Sequence, residues 1–537
     1  QLKRQTDRDV DVSGFATAAL DWGEHKLTSN SFILRQTRQR TQVTTGSRDV
    51  SDTLEIRDTL LDFNERELMG QQFVGEHDFP LVDVTWRAMM SEAERDNPDR
   101  RRTRRIRELG SDSPFRLSDR EDASRRFLQT EDEVGSFSID LERNLLDGDR
   151  WNLDVSGGLS TYDQTRSTVI QRLGLRPDPG QVDLEQPVEQ ILAPENLGNG
   201  VVVKDETDEI DLYAGQVSIN AGYLRGDVNW RDTLRVVAGL RQEEADFTVV
   251  TFNQSREAEV GGFDETDTLP SLATTWFFAE DMQLRFAAGR TVSRPVLNEI
   301  SNVRYTDPDT DFDFIGNPEL RPAEIDSLDL RWEWFPSSSE LISVGAFYKE
   351  YTDPLEVIFV PQSGAEKQRR VENSDEATVE GIEATARFNL PRLTGAIGSD
   401  PDWADQVYVQ GNVALIDSEV TTDDAFVTNQ VRELQGQADE LINLRVGYDR
   451  GRHDFNVALN FTGDRLSTVG VQGQPDIIEQ SRTVVDLGYD YQWSDSLDLT
   501  FNVDNLLDEE VERKQGEEVA EGFNPGVDVG FGLKYRF

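Results

Sequence analysis

Histidines that could take part in catalysis or metal binding are few and scattered. The 537-residue chain has three of them, His25, His77 and His453, each in or beside a short polar break. A Ser-His-Asp arrangement needs a histidine beside its nucleophile, and a zinc site needs clustered histidines or cysteines. The chain has no cysteine. We therefore predict no catalytic residue, no cofactor-binding residue and no enzyme activity, and we interpret the histidines as solvated turn residues.

Alternating aspartates in the stretch YTDPDTDFDF resemble a calcium-binding loop, and they are Asp307, Asp309, Asp311 and Asp313. An EF-hand requires glycine at its sixth position and glutamate at its twelfth. This chain has Phe312 and Pro318 there. The EF-hand is therefore excluded, and two interpretations remain: a calcium ion held by irregular loop carboxylates, or a solvated acidic loop.

The overall composition is strongly acidic and poor in apolar residues. The formal net charge is −48, which argues against non-specific nucleic-acid binding because that depends on cationic contacts to phosphate. Only 36% of the residues are hydrophobic, yet there are 27 Phe, 11 Tyr and 9 Trp. Disordered chains lack aromatics, so a folded chain is indicated. One large sheet with a single apolar face would need apolar residues at only half of its positions.

A two-residue period of hydrophobicity runs through almost the whole chain. It is strictest in the last eleven residues, VDVGFGLKYRF, and it recurs in about nineteen segments. No apolar run approaches the roughly 18 to 20 residues of a membrane helix. Short breaks alternate with long polar stretches, and tryptophan and tyrosine cluster near segment ends, which is typical of outer-membrane barrels. We therefore predict an all-β protein, a transmembrane antiparallel β-barrel of the Gram-negative outer membrane.

Two of the long polar stretches have compositions that suggest a role at the cell surface. RRRTRRIR contains Arg100, Arg101, Arg102, Arg104 and Arg105, which would either contact lipopolysaccharide phosphates or pair with neighbouring carboxylates. The stretch 168–207 is rich in proline and glycine. Because long loops are usually functional or disordered, we predict that it forms an ordered cap over the barrel mouth.

Several motifs, taken in order, resemble those of TonB-dependent outer-membrane receptors. The motifs are NERELMGQQFVGEHDFP (64–80), GRTVSRPVLNEIS (289–301), GNPELRPAEIDSLDLRWEWFP (316–336), VENSDEATVEGIEATARF (371–388) and FNVDNLLDEEV (501–511). The last departs from the family pattern, with Leu507 where Phe is usual and Val511 where Tyr is usual. The final strand also resembles the signal read by the barrel assembly machinery, with Phe531, Tyr535 and Phe537 in its aromatic places.

This resemblance implies a barrel of about 22 strands with a separate N-terminal plug in its lumen. We see about nineteen strands, no plug-like segment and no TonB box, so residues 1–537 are expected to be the C-terminal barrel part of a receptor, in which the plug and the first strands are absent. If about three strands are missing, the first strand here descends toward the periplasm. The short break DWGEHK after it agrees with that direction.

By resemblance, the protein would capture a scarce nutrient, small or oligomeric, with its outer loops. It would import this nutrient with energy relayed by TonB through the plug. Its other partners would be outer-membrane lipid and lipopolysaccharide, and no cofactor is expected. A passive porin and, as a third class, a soluble β-rich adhesin stay open as alternatives. The sequence does not distinguish a siderophore, a cobalamin, an oligosaccharide or a peptide as the substrate.

Overall fold

The computed structural model describes residues 2–47, 53–119, 123–207, 211–252, 257–306, 313–360, 368–392 and 404–536. The first twelve strands are β1 Leu2–Trp22, β2 His25–Gly46, β3 Leu54–Phe79, β4 Val82–Glu108, β5 Arg116–Leu117, β6 Ala123–Asp147, β7 Trp151–Pro177, β8 Val201–Asp205, β9 Leu212–Trp230, β10 Leu234–Phe252, β11 Ala258–Ala279 and β12 Met282–Ser293.

The later strands are shorter on average. They are β13 Arg304–Thr306, β14 Asp313–Ile315, β15 Ala323–Ser337, β16 Glu340–Thr352, β17 Leu355–Val360, β18 Gln368–Asn373, β19 Glu376–Asn389, β20 Val407–Thr421, β21 Val431–Arg432, β22 Glu440–Arg450, β23 His453–Thr462, β24 Arg465–Thr468, β25 Ile477–Glu479, β26 Arg482–Ser494, β27 Leu497–Asp504, β28 Val511–Gln515, β29 Glu518–Phe523 and β30 Asp528–Tyr535.

Helices are short. Those with defined bounds are α1 (Val188–Ile191) and the 3-10 helices Pro194–Asn196 and Ala404–Gln406. Within the described part of the chain, no helix has the length and apolar character needed to cross a membrane.

One antiparallel sheet dominates the fold. In the described residues it contains 22 strands, of which β5, β8 and β21 are short additions. The other nineteen, here called the wall strands, pair consecutively from β1 to β30. This confirms the predicted all-β class and the count of about nineteen strands. The sheet is curved, because one cavity is lined by wall strands from β1 to β9.

The two faces of the wall differ in chemistry because neighbouring strands keep the two-residue period in register. Phe501 lies opposite Phe531, and Leu499 lies opposite Leu533. Phe531 and Leu533 are 73% and 64% exposed, so this outward face presents a continuous apolar surface. Tryptophans mark its edge near the short turns, where Trp151 packs on Trp230 with ring centroids 6.1 Å apart. Such a face belongs in lipid.

Connections between wall strands alternate in length, as predicted. Turns of two or three residues close one end, for example 23–24, 80–81 and 148–150, and long connections close the other. The connection between β19 and β20 is the long exception at the short-turn end. A bilayer requires only about 10 residues per strand, whereas β4 and β7 have 27 residues each. The membrane-spanning part is thus the portion nearest the short turns, and the remainder projects beyond the bilayer.

The projecting wall carries a small apolar core on each face. On the inner face, Leu297, Ile300 and Val303 from the β12–β15 connection pack with Val217 and Phe247. On the outer face, Leu184 and Ile191 pack against Ala123 and Leu175. The predicted cap formed by 168–207 is therefore wrong in position. Its first ten residues continue β7, and the ordered remainder covers the outside of the wall, because Ala123 and Leu175 occupy outward-facing register positions.

Two additional four-stranded sheets are formed by the long connections. One contains β13, β14, β18 and β17, and the other contains β24, β25, β28 and β29. Glu479 lies at the centre of the second sheet, where it bonds Arg465 at 2.6 Å and Arg513 at 3.0 Å. Burial alone would raise the pKa of Glu479, but the hydrogen bonds and charges of these two arginines outweigh burial and lower it.

Replacing Leu297 by alanine should loosen the β12–β15 connection without opening the wall. The side chain is 2% exposed, so the cavity left behind should cost about 2–5 kcal/mol of local stability. Amide hydrogen exchange of residues 296–303 measures this loss. Leu328→Ala is the control, because that side chain is 48% exposed on the outward face. Unchanged protection in Leu297→Ala would contradict the packing described here.

Acid should weaken the second four-stranded sheet, which contains β24, β25, β28 and β29. A carboxyl group whose pKa is lowered by folding contributes stability above its unfolded pKa, and that contribution is lost as pH falls through the lowered value. Amide protection in β24 and β25, corrected for intrinsic exchange, should therefore fall with acid. Glu479→Gln should reduce protection at neutral pH and flatten the profile, whereas Glu518→Gln, at an exposed position in β29, should change neither.

Candidate functional site

A cavity of about 690 Å³ lies on the inner face of the projecting wall. Its sides come from β1, β2, β3, β4, β6, β7 and β9, and Asn298 and Val303 of the β12–β15 connection reach it from above. This volume falls within the range of small-molecule sites, about 300–1,000 Å³. The cavity is therefore the candidate functional site, and residues 294–303 are called the inner segment below.

Apolar side chains form one part of the cavity surface. Leu128 on β6 lies opposite Ile170 on β7, and Tyr213 on β9 completes the patch. These side chains face inward because each sits at an alternate position of its strand. Ile170 is 1% exposed and Tyr213 is 8% exposed. The patch joins the inner core through Tyr213, so the cavity and the inner segment share one packed surface.

Charged and uncharged polar side chains line the rest of the cavity. The charged ones are equally divided between acidic and basic residues: Asp11, Glu67, Glu94 and Asp132, and Arg35, Arg66, Arg95 and Arg166. Arg66 on β3 lies opposite Arg95 on β4, and both border the cavity. On β6 and β7, Asp132 forms an ion pair with Arg166, whose Nε lies 3.1 Å from the carboxylate. Gln164 also donates to Asp132, at 2.7 Å. Asp132 is thus fully engaged, whereas the Arg66–Arg95 pair brings two like charges together.

Three more arginines lie just beyond the outer end of the cavity. Arg100 on β4 is opposite Arg126 on β6, and Arg126 is opposite Arg172 on β7. Arg172 pairs with the buried Asp211 at 2.8 Å and donates to the backbone carbonyl of Arg304 at 3.0 Å. Arg172 therefore links the wall to Arg304, the residue that directly follows the inner segment.

Arg294 anchors the start of the inner segment to the wall. Its guanidinium bonds Glu243 at 2.9 Å and Glu265 at 2.8 Å, and it also bonds Asp267. Three carboxylates from β10 and β11 thus surround one cation. This explains the position of an arginine within GRTVSRPVLNEIS: it ties the connection inward as soon as β12 ends.

A glycine allows the inner segment to fold back on itself. A Cβ added at Gly316 would lie 1.6 Å from the carbonyl oxygen of Ser301 and 2.8 Å from that of Asn298. The next residue continues the contact, because the Asn317 amide donates to the Glu299 carbonyl at 2.5 Å. The GNPEL stretch thus holds the inner segment in place over the cavity.

The histidines lie elsewhere, on the outward face near the short turns. Register places His25 opposite His77, with their Nδ1 atoms 3.3 Å apart, and Trp86 donates to His77 Nε2 at 3.1 Å. His453 lies 2.8 Å from the hydroxyl of Tyr489. His25 and His77 are half-buried strand residues of the aromatic edge, which differs from the predicted solvated turns. His25 and His77 are 52 residues apart in the sequence. They meet only through the register of β2 against β3, which the sequence alone does not reveal.

The other predicted site residues fall into separate places. Asp307, Asp309 and Asp311 lie outside the described residues, and Asp313 pairs with Arg304 at 3.5 Å. Among the residues that the structure describes, no group of three or more His, Asp or Glu could hold a metal ion. Phe531 and Tyr535 are exposed on the outward face, and Phe537 lies outside the described residues. The calcium site and the assembly signal both stay predictions.

The basic run belongs to β4 instead of a loop, so its side chains alternate between the two faces. Arg100 and Arg104 are buried, and Arg105 donates to the carbonyls of Leu184, Glu185 and Gln186. Arg101 and Arg102 are exposed. Contact of the run with lipopolysaccharide stays a prediction. Sequence reasoning missed the inner cavity, although the inward positions of Arg66 and Arg95 could have been found by extending the two-residue period past the membrane span.

Comparison with known proteins agrees with this geometry. The model of the family "TonB dependent receptor-like, beta-barrel" matches residues 5–506. The chain belongs to this family. It is therefore a β-barrel of the outer membrane, and membership of this family favours a protein that is not an enzyme.

Relatives of the receptor are distant. It is 26% identical over 229 residues to an iron-regulated outer membrane virulence protein of Vibrio cholerae serotype O1, and this match covers 40% of the chain and 32% of that protein. Thus the match spans about a third of the relative's length.

Solved structures share the fold at low identity. The ferric-catecholate import receptor Fiu from E. coli K12 superposes with a TM-score of 0.60 at 10% identity, covering 99% of this chain and 81% of that chain. The siderophore receptor PiuA from Acinetobacter baumannii gives a TM-score of 0.58 at 11% identity, with the same coverage.

Gly316→Ala should displace the inner segment of the receptor. The added methyl group cannot coexist with the Ser301 carbonyl, so the turn must open and uncover the cavity. Limited proteolysis should then cleave within residues 296–303. Gly226→Ala is the matched control, because a Cβ there meets no atom within 4 Å. Equal resistance of both variants would show that Gly316 does not hold the segment.

Proposed function

We propose that this receptor captures a scarce nutrient at the cell surface and imports it with energy relayed by TonB. The observation that carries the proposal is the family match over residues 5–506, together with the inner cavity beneath a folded connection. The cavity lies in the part of the wall that projects beyond the bilayer. A nutrient arriving from outside would therefore meet it before the membrane span.

An iron chelate is the substrate class we propose. Support comes from the similar proteins, which are an iron-regulated outer membrane virulence protein, a siderophore receptor and a ferric-catecholate import receptor. The two solved receptors share the fold of this chain. The volume of the cavity is compatible with a small chelate.

We also propose that residues 1–537 form the larger part of a closed barrel that holds a plug. Within the described residues, β1 pairs only with β2 and β30 pairs only with β27, so the sheet has two open edges. Unpaired backbone groups in hydrocarbon cost several kcal/mol each. With nineteen strands, β1 and β30 run in the same direction, so an odd number of further strands would complete an antiparallel closure. Three strands satisfy this condition.

Loss of TonB should abolish uptake of the correct iron chelate in cells that express the full-length receptor. The physical reason is that a plugged barrel conducts only when work is done on the plug. Radiolabelled iron uptake, compared between isogenic strains with and without TonB, measures this dependence. Binding to whole cells at low temperature should be the same in both strains.

Two results would contradict the proposal. Uptake that is equal in both strains would favour a passive porin. Partition of the native protein into the aqueous phase without detergent would favour a soluble adhesin and remove both membrane functions.

A further inference from the structure

A second cavity lies on the outward face of the wall, and it is called the outer groove below. Its volume is about 950 Å³, and it is formed by β1, β2, β3, β4, β6 and β7. On β7 it is bordered by Asp163 and Thr165 but not by Gln164, which lies between them and donates to Asp132 on the inner face. Asp163 also lies at an even spacing from Leu175 of the outer apolar core. Because side chains alternate along a strand, the groove faces outward.

The outer groove lies where the membrane span ends. Met90 and Glu92 border it on β4, and they follow Val82, the first residue of that strand, by 8 and 10 residues. A strand needs about 10 residues to cross the hydrocarbon. Toward the short turns the outward face continues with the exposed side chains of Phe137 and Leu159. The groove is therefore continuous with the lipid-facing surface, at the depth where acyl chains meet headgroups.

The part of the groove formed by β1 to β4 is largely apolar. Ile33, Met69 and Met90 border it, and all three are exposed, Met90 by 73%. At Gly135 on β6 the open space reaches the backbone, because a Cβ added there would meet no atom within 4 Å. Exposed apolar surface of this kind marks sites of contact with membranes or proteins. Since this surface adjoins the lipid-facing wall, an acyl chain is the apolar group that fits it.

The part formed by β4, β6 and β7 is acidic. Glu92 lies opposite Glu133, and Gly135 beside them lies opposite Asp163. Glu92 and Glu133 are exposed, and within the described part of the chain their side chains form no ion pair or hydrogen bond. Like charges directly opposite each other in a sheet are destabilising. A cation placed between the two carboxylates would remove this repulsion.

Two other acidic places on the outward face have a counter-ion from the chain itself. Arg290 on β12 bonds Glu324 at 2.9 Å and Asp326 at 2.7 Å, both on β15. Arg35 on β2 bonds Glu65 on β3 at 2.6 Å. Among the described residues, no arginine or lysine pairs with Glu92 or Glu133 in this way. The charge of the groove is therefore complementary to a cationic partner.

We propose that the outer groove binds a phospholipid of the outer membrane whose headgroup carries an ammonium group, as in phosphatidylethanolamine. The ammonium donates charge-assisted hydrogen bonds to Glu92 and Glu133. An acyl chain of the same lipid packs against Ile33, Met69 and Met90. A headgroup with a net negative charge is repelled by the same two carboxylates. The groove thus selects an aminophospholipid over an anionic phospholipid with identical chains, and this selection does not depend on import.

The test measures which lipid gathers beside the groove. The 537 residues contain no cysteine, so Phe137→Cys in the full-length receptor can carry a bimane fluorophore just below the groove. The receptor is placed in nanodiscs of equimolar phosphatidylethanolamine and phosphatidylglycerol with identical chains, and one of the two lipids is brominated at a time. Bromine quenches the fluorophore only at short range, so the two quenching values compare the local amounts of the two lipids. Leu330→Cys is the matched reporter, on the outward face of β15 below the carboxylates that Arg290 neutralises.

We expect phosphatidylethanolamine to be enriched over phosphatidylglycerol at position 137 and not at position 330. Exposed ion pairs are weak, so the enrichment should be about threefold. Replacing both carboxylates, Glu92→Gln together with Glu133→Gln, should abolish it. Glu244→Gln is the control, because Glu244 is an exposed outward glutamate of β10 that lies opposite the uncharged Asn220 and Thr266.

A further variant separates the groove from its charge. Gly135→Leu fills the open space without a clash and leaves both glutamates in place, so the enrichment at position 137 should be lost. Gly226→Leu is the control, because a Cβ there also meets no atom within 4 Å and β9 does not border the groove.

Four results would overturn the proposal. They are equal amounts of the two lipids at position 137, a preference for phosphatidylglycerol there, the same enrichment at positions 137 and 330, and an enrichment that survives Gly135→Leu or the double glutamine variant.

Discussion

The need to pair every backbone amide and carbonyl inside hydrocarbon is the constraint on which the rest of this structure depends. Lipid offers no hydrogen-bond partner, so a spanning chain must satisfy these groups within itself, and a β-protein does so strand against strand. Consecutive antiparallel pairing from β1 to β30 meets the requirement along the sheet. Once strands pair in this way, the two-residue period assigns each side chain to lipid or to the interior. The apolar outer surface and the charged inner wall are consequences of the same pairing.

Beyond the bilayer, side chains still alternate between the two faces of the wall, but different groups cover each face. The outward face no longer meets lipid, so it can pack against protein, as Ala123 and Leu175 do with α1 and its neighbours. The inward face of the same wall packs against Leu297 and Ile300. One layer of strands therefore supports two unrelated apolar cores. The cavity lies where the inner core gives way to polar side chains, and its sides belong to the continuous sheet.

The sequence was sufficient for the properties that depend on local alternation. The strand number, the short and long connections, the aromatic edge and the family motifs all follow from residues close together in the chain. Contacts that depend on inter-strand register were not accessible. Arg100, Arg126 and Arg172 become neighbours only through pairings that shift at the irregularity between Asn97 and Arg100. A single extra residue on β4 at this point changes which side chains lie opposite each other, and no local sequence pattern predicts that extra residue.

Packing of the long connections was inaccessible for a related reason. Stretches 168–207 and 294–322 are both long and polar with interspersed apolar residues. Leu184 and Ile191 of the first pack outside the wall, whereas Leu297 and Ile300 of the second pack inside it. The difference arises from partners far away in sequence, such as the carboxylates that engage Arg294. The composition of a loop can predict that the loop is ordered, but it does not predict which surface the loop packs against.

The unequal strand lengths divide the mouth into two mechanically different halves. On one side β3 to β7 continue outward as unbroken wall, with 27 residues in β4, or about 90 Å along the strand at 3.3 Å per residue. On the other side β27 and β30 have 8 residues each, and the height is supplied by separate small sheets that join the wall through non-strand residues. Such junctions can act as hinges, whereas a continuous strand cannot. We therefore expect rearrangements of the outer end to occur at the junctions beside β27 and β30, and the long strands β3 to β7 to keep their positions.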